Sequence, residues 1–278
     1  MDMESRRDGC GVYEFGRPLV ESFRTFGFAV LRRFFDPGPL ALEVDRVLSE
    51  GLTRRRPHTG DIRFQYVPMM TAETPASLSL LDRLGAFAET LFERPVLPTR
   101  AKGTRYFGET PWHVDSSLSV ESVGCLAYLE PAGPDCGALR VMPGSHHSTF
   151  NEALRDMRAA RVLDPSLPGH VLATHPGDVI LMDEHVLHAA FGGTVRHQWR
   201  VDYLSVPVSS EEFILAKSYF ASIYDLEWDG GYDVDRYPSY GPYWQTLDRP
   251  WTAKLGAIGV YELAARHAAV ARARQRRT

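Results

Sequence analysis

Long apolar runs are missing from this 278-residue chain. No stretch approaches the ~20 residues that a membrane-spanning helix needs, and the N-terminal MDMESRRDGCG carries charge with no apolar segment behind it. Neither secretion nor membrane anchoring is expected. Cysteine is scarce as well. Cys10, Cys125 and Cys136 show no CxxC or zinc-type spacing, so a disulfide framework and a structural zinc are both excluded, and a reducing cytoplasm is the expected location. A basic excess is also missing: 31 Lys and Arg face 35 Asp and Glu, a formal charge of −4, which argues against nucleic acid as the partner. Lysine itself is nearly lacking, with only Lys102, Lys217 and Lys254, an arginine bias that GC-rich codon usage explains most simply. No internal repeat or low-complexity linker interrupts the chain. What remains, 44% hydrophobic and 24% charged, is an ordinary globular composition with enough length for a sizeable core.

The periodicity changes along the chain. Residues 17–26 read as a helix and GFAVLRRFF as a strand. PGPLALEVDRVLSEGL follows as a proline-initiated helix with Leu40, Val44, Val47 and Leu48 on one face. Residues 76–93 place Leu78, Leu81, Leu84, Phe87, Ala88 and Leu91 at helical spacing. From about 97 to 208, short apolar runs cut by Gly, Pro, Asp and Ser predict closely spaced strands of a sandwich or jelly roll, with an inserted helix near 150–161. The final segment holds an aromatic, acidic stretch from Tyr224 to Trp244, which reads as a lid, a subunit contact or core packing, and then a helix from about Trp251.

The strongest chemical signal is Trp112-His113-Val114-Asp115 at the predicted start of a strand, because residues i and i+2 project to one face. His113 and Asp115 can therefore grip one ion from one side. Beyond GDVILMDEHVLHAAFGG, His188 supplies a third donor, and Arg200 opens the next strand, RVDYLSV. Two histidines and a carboxylate leave three metal positions open, which suits non-haem Fe(II), a chelating 2-oxo acid and dioxygen. An arginine outside the coordination shell can pair with the far carboxylate of that acid. Arg200 fits this role, with Arg196 as its competitor in a predicted turn, and Tyr128 can add a hydroxyl to the same pocket.

In their order and spacing, GFAVLRRFFDPGPL, WHVD, GALRVMPGSHH, GDVILMDEHVLHAAFGG and the Arg200 strand resemble the phytanoyl-CoA dioxygenase-like branch of the Fe(II)/2-oxoglutarate-dependent oxygenases, over roughly residues 20–208. The resemblance implies a mainly β fold with flanking helices and a double-stranded β-helix (jelly-roll, cupin-like) core. It implies a single oxygenase domain over 1–278: a helical region to about 96, the core from about 97 to 208, and an extension over 209–278. It also implies His113, Asp115 and His188 as iron ligands and Arg200 as the 2-oxoglutarate anchor. His185, three residues before His188, is the rival distal ligand, but the family pattern puts the ligand directly before a small-residue segment such as AAFGG. His146 and His147 follow a PGS turn and read as a structural corner. Related halogenases have Ala or Gly where Asp115 stands, so oxygenation rather than halogenation is expected.

The co-substrates implied are 2-oxoglutarate and dioxygen, with ascorbate as a supporting reductant. The partner is a small-molecule substrate, acted on by a monomer or homodimer without nucleic acid or membrane. Alternation over residues 99–107 puts Arg100, Lys102, Thr104 and Tyr106 on one face, next to the ligand strand. Arg100, Lys102, Arg105 and Trp112 are the candidate substrate-pocket residues. An anionic substrate bearing a carboxylate, phosphate or phosphonate follows, carried most by Lys102 because lysine is rare here.

Overall fold

The computed structural model describes residues 17–53, 63–159, 167–224 and 231–276. Helix α1 (Arg17–Phe26) leads into strand β1 (Phe28–Leu31) through Gly27. The next helix, α2 (Pro37–Gly51), starts at Asp36, whose carboxylate accepts from the Gly38 amide, and buries Leu40, Val44, Val47 and Leu48 as its spacing predicts. After β2 (Arg63–Pro68) comes α3 (Pro75–Phe92), which buries Leu78, Leu81, Leu84, Ala88 and Leu91 and stops at Glu93 in the left-handed region. The strands β3 (Val96–Pro98), β4 (Lys102–Phe107), β5 (Thr110–His113), β6 (Ser122–Tyr128) and β7 (Leu139–Val141) precede helix α4 (Ser148–Ala159). Then follow β8 (His170–Leu172), β9 (Val179–Asp183), β10 (His188–Ala190) and β11 (Val195–Ser205), and finally α5 (Ser210–Ser222), α6 (Pro242–Gln245), α7 (Thr252–Ile258) and α8 (Val260–Gln275).

The strands form two antiparallel sheets rather than a closed barrel. The larger runs β1-β9-β6-β11-β4-β2, with β3 also on β11, and the smaller runs β5-β10-β7-β8. Sheet pairing therefore reaches outside residues 97–208. β1 was expected as a strand, whereas the edge strand β2 has only the short Phe64/Tyr66 alternation to mark it, and its partner β4 is distant in sequence.

Strand β11 is buried on both sides, and the period of two sorts its residues sharply. Trp199, Val201 and Tyr203 join Val123, Cys125 and Ala127 of β6 in the core shared with the helices. Arg196, Gln198, Arg200 and Asp202 turn the other way, into the space between the sheets. Tyr232, Tyr237, Tyr240 and Trp244 are at most 2% exposed in the helix-side core, so these four rings are core packing, whereas Tyr243 of the same stretch is exposed. Among the described residues, no helix is long and apolar enough to cross a membrane.

Gly27 ties the first helix to this frame. At φ +80° its amide caps α1 on the Phe23 carbonyl, its own carbonyl accepts from Asp183, and a Cβ there would overlap Val186 Cγ2 and stand 2.6 Å from His146 Nδ1. Gly27→Ala is expected to lower stability by about 2–4 kcal/mol, from the left-handed backbone and the overlap together, read as a shifted urea midpoint at unchanged slope.

Candidate metal centre

Strands β5 and β10 pair so that His113 and His188 stand directly opposite each other, their ring centroids 4.2 Å apart. His113 is the last residue of β5, not part of a strand that begins there and runs on through Asp115. The chain turns immediately afterwards, because the amides of Asp115 and Ser116 donate to the Glu184 carbonyl at 2.9 and 3.2 Å. That turn carries the Asp115 carboxylate back over the two rings. Its Oδ1 lies 3.3 Å from His113 Nε2 and 3.5 Å from His188 Nε2, and the three donor atoms fall within 4.8 Å of one another.

The other ring nitrogens fix the tautomers. His113 Nδ1 is 2.8 Å from the Pro111 carbonyl and His188 Nδ1 is 2.9 Å from the Val186 carbonyl. A carbonyl can only accept, so Nδ1 carries the proton in each neutral ring and both Nε2 lone pairs face Asp115. Burial holds His188 below its ordinary pKa, which favours the neutral, ligating form. Burial also pushes the Asp115 carboxyl up, but the Arg200 charge and the two histidines outweigh it and hold the group well below the usual range. The donor set fits a divalent metal bound on one face with open positions opposite.

Arg200 is surrounded by carboxylates. Its Nη2 lies 2.9 Å from Asp115 Oδ2 and 3.1 Å from Glu184 Oε1, and its Nε is 2.5 Å from Asp202 Oδ1. Glu184 accepts a further bond from the Tyr219 hydroxyl at 2.7 Å. Burial and the neighbouring Asp202 push Glu184 up to about 7. Asp202 lies two positions from Arg200, so strand alternation alone places them together. Glu184 and Tyr219 carried no comparable sequence signal, because a turn and a helix deliver them.

A pocket of about 640 Å³ opens on the centre. Arg196, Gln198, Thr104, Thr110, Tyr106 and Tyr128 give it a polar part, Leu126, Leu139 and Ala190 an apolar one, and Lys102, Phe64, Tyr66 and Tyr219 complete the wall. Burial raises the Tyr128 phenol above its ordinary pKa and pushes the Lys102 ammonium down to about 8.

Three of the expected substrate-pocket residues lie elsewhere. Arg100 precedes β4, bonds to the Ile223 carbonyl and sits over the rings of Tyr66 and Tyr224 at 4.9 and 5.0 Å. Arg105 faces away from the pocket and donates to His197 Nε2 at 3.0 Å. Trp112, one residue from His113, must point to the opposite side of β5, where it packs against Phe191 with Met142 and Leu154.

Three further histidines are engaged elsewhere. His146 and His147 bond to the Arg24 and Thr25 carbonyls, each at 3.1 Å, at the corner where α1 ends. His185 has both ring nitrogens occupied, Nδ1 on Asp183 at 2.8 Å and Nε2 on the Leu118 carbonyl at 2.7 Å, and so does not reach the centre. The Asp183 bond raises His185 to about 9. Its unfolded value lies near 6.5, so the protonated ring contributes stability fully below about pH 6.5, and the contribution is lost as pH rises through 9. The melting-temperature gap between the wild type and His185→Gln is expected to be widest at pH 6 and to close towards pH 9.5. A gap independent of pH would rule out the charged pair.

Residues 95–197 match the family model described as phytanoyl-CoA dioxygenase (PhyH), which bears out the resemblance in the sequence. No curated protein matches the chain. Among solved structures, HygX from Streptomyces hygroscopicus with nickel and 2-oxoglutarate bound is similar at TM-score 0.56 and 21% identity, over 69% of this chain and 88% of that one. AviO1 from Streptomyces viridochromogenes Tue57 is similar at 0.54 and 21%, over 69% and 95%. SnoK, a non-haem α-ketoglutarate-dependent carbocyclase from nogalamycin biosynthesis, is similar at 0.55 and 16%, over 69% and 85%. At these identities the likeness establishes a shared fold.

Proposed function

We propose that this chain, whose central segment matches the phytanoyl-CoA dioxygenase family, is an Fe(II)- and 2-oxoglutarate-dependent oxygenase of a small anionic metabolite. The observation that carries this reading is the convergence of two tautomer-fixed imidazoles and one carboxylate within 4.8 Å, on a pocket that also holds buried arginine. His113, Asp115 and His188 are the residues that hold the metal. With 2-oxoglutarate and dioxygen, that metal would supply the oxidant for a C–H bond, one oxygen atom of dioxygen going into succinate as carbon dioxide leaves and the other to the substrate.

The protein's own part is positional. The Pro111 and Val186 carbonyls orient the histidines, and Arg200 braces the second oxygen of Asp115. An arginine of β11 pairs with the distal carboxylate of the co-substrate while Leu126, Leu139 and Ala190 keep water from its methylenes. Lys102 has no ion pair or hydrogen bond among the described residues; its ammonium lies 5.8 Å from the Tyr66 ring, and Asp202 and Asp115 attract it without pairing with it. A half-buried ammonium pushed down to about 8 gains most from an anion, which supports a carboxylate, phosphate or phosphonate on the substrate.

Hydroxylation is the default outcome, and a role in natural-product tailoring is supported by neighbours from nogalamycin biosynthesis. Those neighbours are the epimerase SnoN and the carbocyclase SnoK, so product mass decides the outcome. The test is succinate release with Fe(II), 2-oxoglutarate and ascorbate across a panel of carboxylates, phosphates, phosphonates and neutral analogues. Stimulation by anionic members and a product heavier by one oxygen are expected. Stimulation only by neutral compounds overturns the substrate class, and failure to bind 2-oxoglutarate at all overturns the enzyme class.

A further inference from the structure

We infer that Arg196, not Arg200, receives the distal carboxylate of the 2-oxo acid, and that Arg200 is a positioning residue for Asp115. The inference rests on the oxygenase reading and assigns within it the two arginines of β11. Both lie on the inward face, four residues and therefore about 13 Å of strand apart. Their charge environments are opposite. Arg200 already faces Asp115, Glu184 and Asp202, so an incoming carboxylate there would join an excess of negative charge.

Arg196 is 5% exposed and donates to uncharged partners: Nη1 to the Gly108 carbonyl at 2.8 Å and Nη2 to Thr110 Oγ1 at 3.1 Å. Its Nε is buried with no partner, as are the nearby Thr104 hydroxyl and the Gln198 side-chain oxygen. Among the described residues no carboxylate forms an ion pair with it. A buried guanidinium without a counter-ion, beside an idle hydroxyl, is a seat for an anion.

The spacing agrees. Thr110, which fixes Arg196, precedes His113 by three residues of β5, about 10 Å. A five-carbon diacid, counted with its coordinating bond and a terminal hydrogen bond, spans about 10 Å. Leu126, Leu139 and Ala190 also line this pocket and offer apolar contact to the methylenes. The resemblance in the sequence points to Arg200, but β11 already begins at Val195, so Arg196 lies in the strand and not in the turn before it.

The test uses the full chain loaded anaerobically with Fe(II), titrated with 2-oxoglutarate and with 2-oxovalerate, which lacks the distal carboxylate. The charge-transfer absorbance of the iron–2-oxo acid chromophore reports binding. Arg196→Met should weaken 2-oxoglutarate by about 100-fold and leave 2-oxovalerate unchanged, so that the variant no longer distinguishes the two acids. Arg196→Lys, which keeps charge but not the bidentate fork, should fall between and serves if the Met variant does not fold. Arg200→Lys should retain the preference for 2-oxoglutarate while weakening Fe(II) itself. Undiminished wild-type preference in either Arg196 variant, or preference lost in Arg200→Lys alone, overturns the assignment. If the wild type gives no absorbance with either acid, the oxygenase reading fails instead.

Discussion

Asp115→Ala is expected to abolish 2-oxoglutarate turnover while leaving the fold close to the wild type. The loss should exceed about 100-fold, because removing a residue that merely orients a ligand already costs 10–100-fold and Asp115 is itself one of three donors. The spared stability follows from the charge arrangement. Arg200 keeps Glu184 at 3.1 Å and Asp202 at 2.5 Å when Asp115 is gone, so no buried cation is stranded. Two measurements check this together: succinate release with saturating Fe(II), and thermal melting of the metal-free protein. Activity retained in a folded Asp115→Ala variant removes Asp115 from the metal set. A variant that loses activity only by unfolding says the carboxylate serves the fold first.

Arg200→Met is expected to give the converse pattern, a structural failure. It removes the cation that pairs with all three carboxylates and leaves them buried or half-buried without that counter-ion, which costs about 3–5 kcal/mol. For a chain of this size that is a melting temperature lower by roughly 10 °C. The deficit depends on pH, and its sign is fixed by Asp115. In the wild type its folded pKa lies well below the unfolded value, so its contribution is present above about pH 4 and lost on acidification. The gap between wild type and variant should hold from neutral pH down to about pH 4 and narrow below it, as Asp115 takes up its proton in the wild type. A gap that stays constant on acidification well below pH 4 would mean that the guanidinium contributes packing alone.

Much of the frame was legible because its signals are local. Pro37 and Pro75 open helices where a missing amide costs nothing, and the leucines of α2 and α3 repeat at helical spacing. The alternation that separates Trp199, Val201 and Tyr203 from Arg196, Gln198, Arg200 and Asp202 is also written in eleven consecutive residues. His113 and Asp115 were readable as a pair, although the reason they meet is a backbone turn on Glu184 rather than strand geometry. Arg100 and Arg105 were misplaced as pocket residues for a related reason. The strand begins only at Lys102, and Arg105 falls on its other face.

By itself, then, the sequence determined which donors are available, which face of each strand they occupy and in what order they arrive, since these depend on residue type and short-range period. Which arginine is paired with carboxylates and which bonds only to uncharged groups was decided only by the tertiary structure. That outcome depends on the β9–β10 turn bringing Glu184, and the Asp115 turn bringing its carboxylate, to one end of β11 and not the other. Charges four residues apart on one strand look alike in a sequence. Their partners, from a loop and a turn elsewhere along the chain and from β11 itself, give Arg200 three carboxylates and Arg196 none among the described residues.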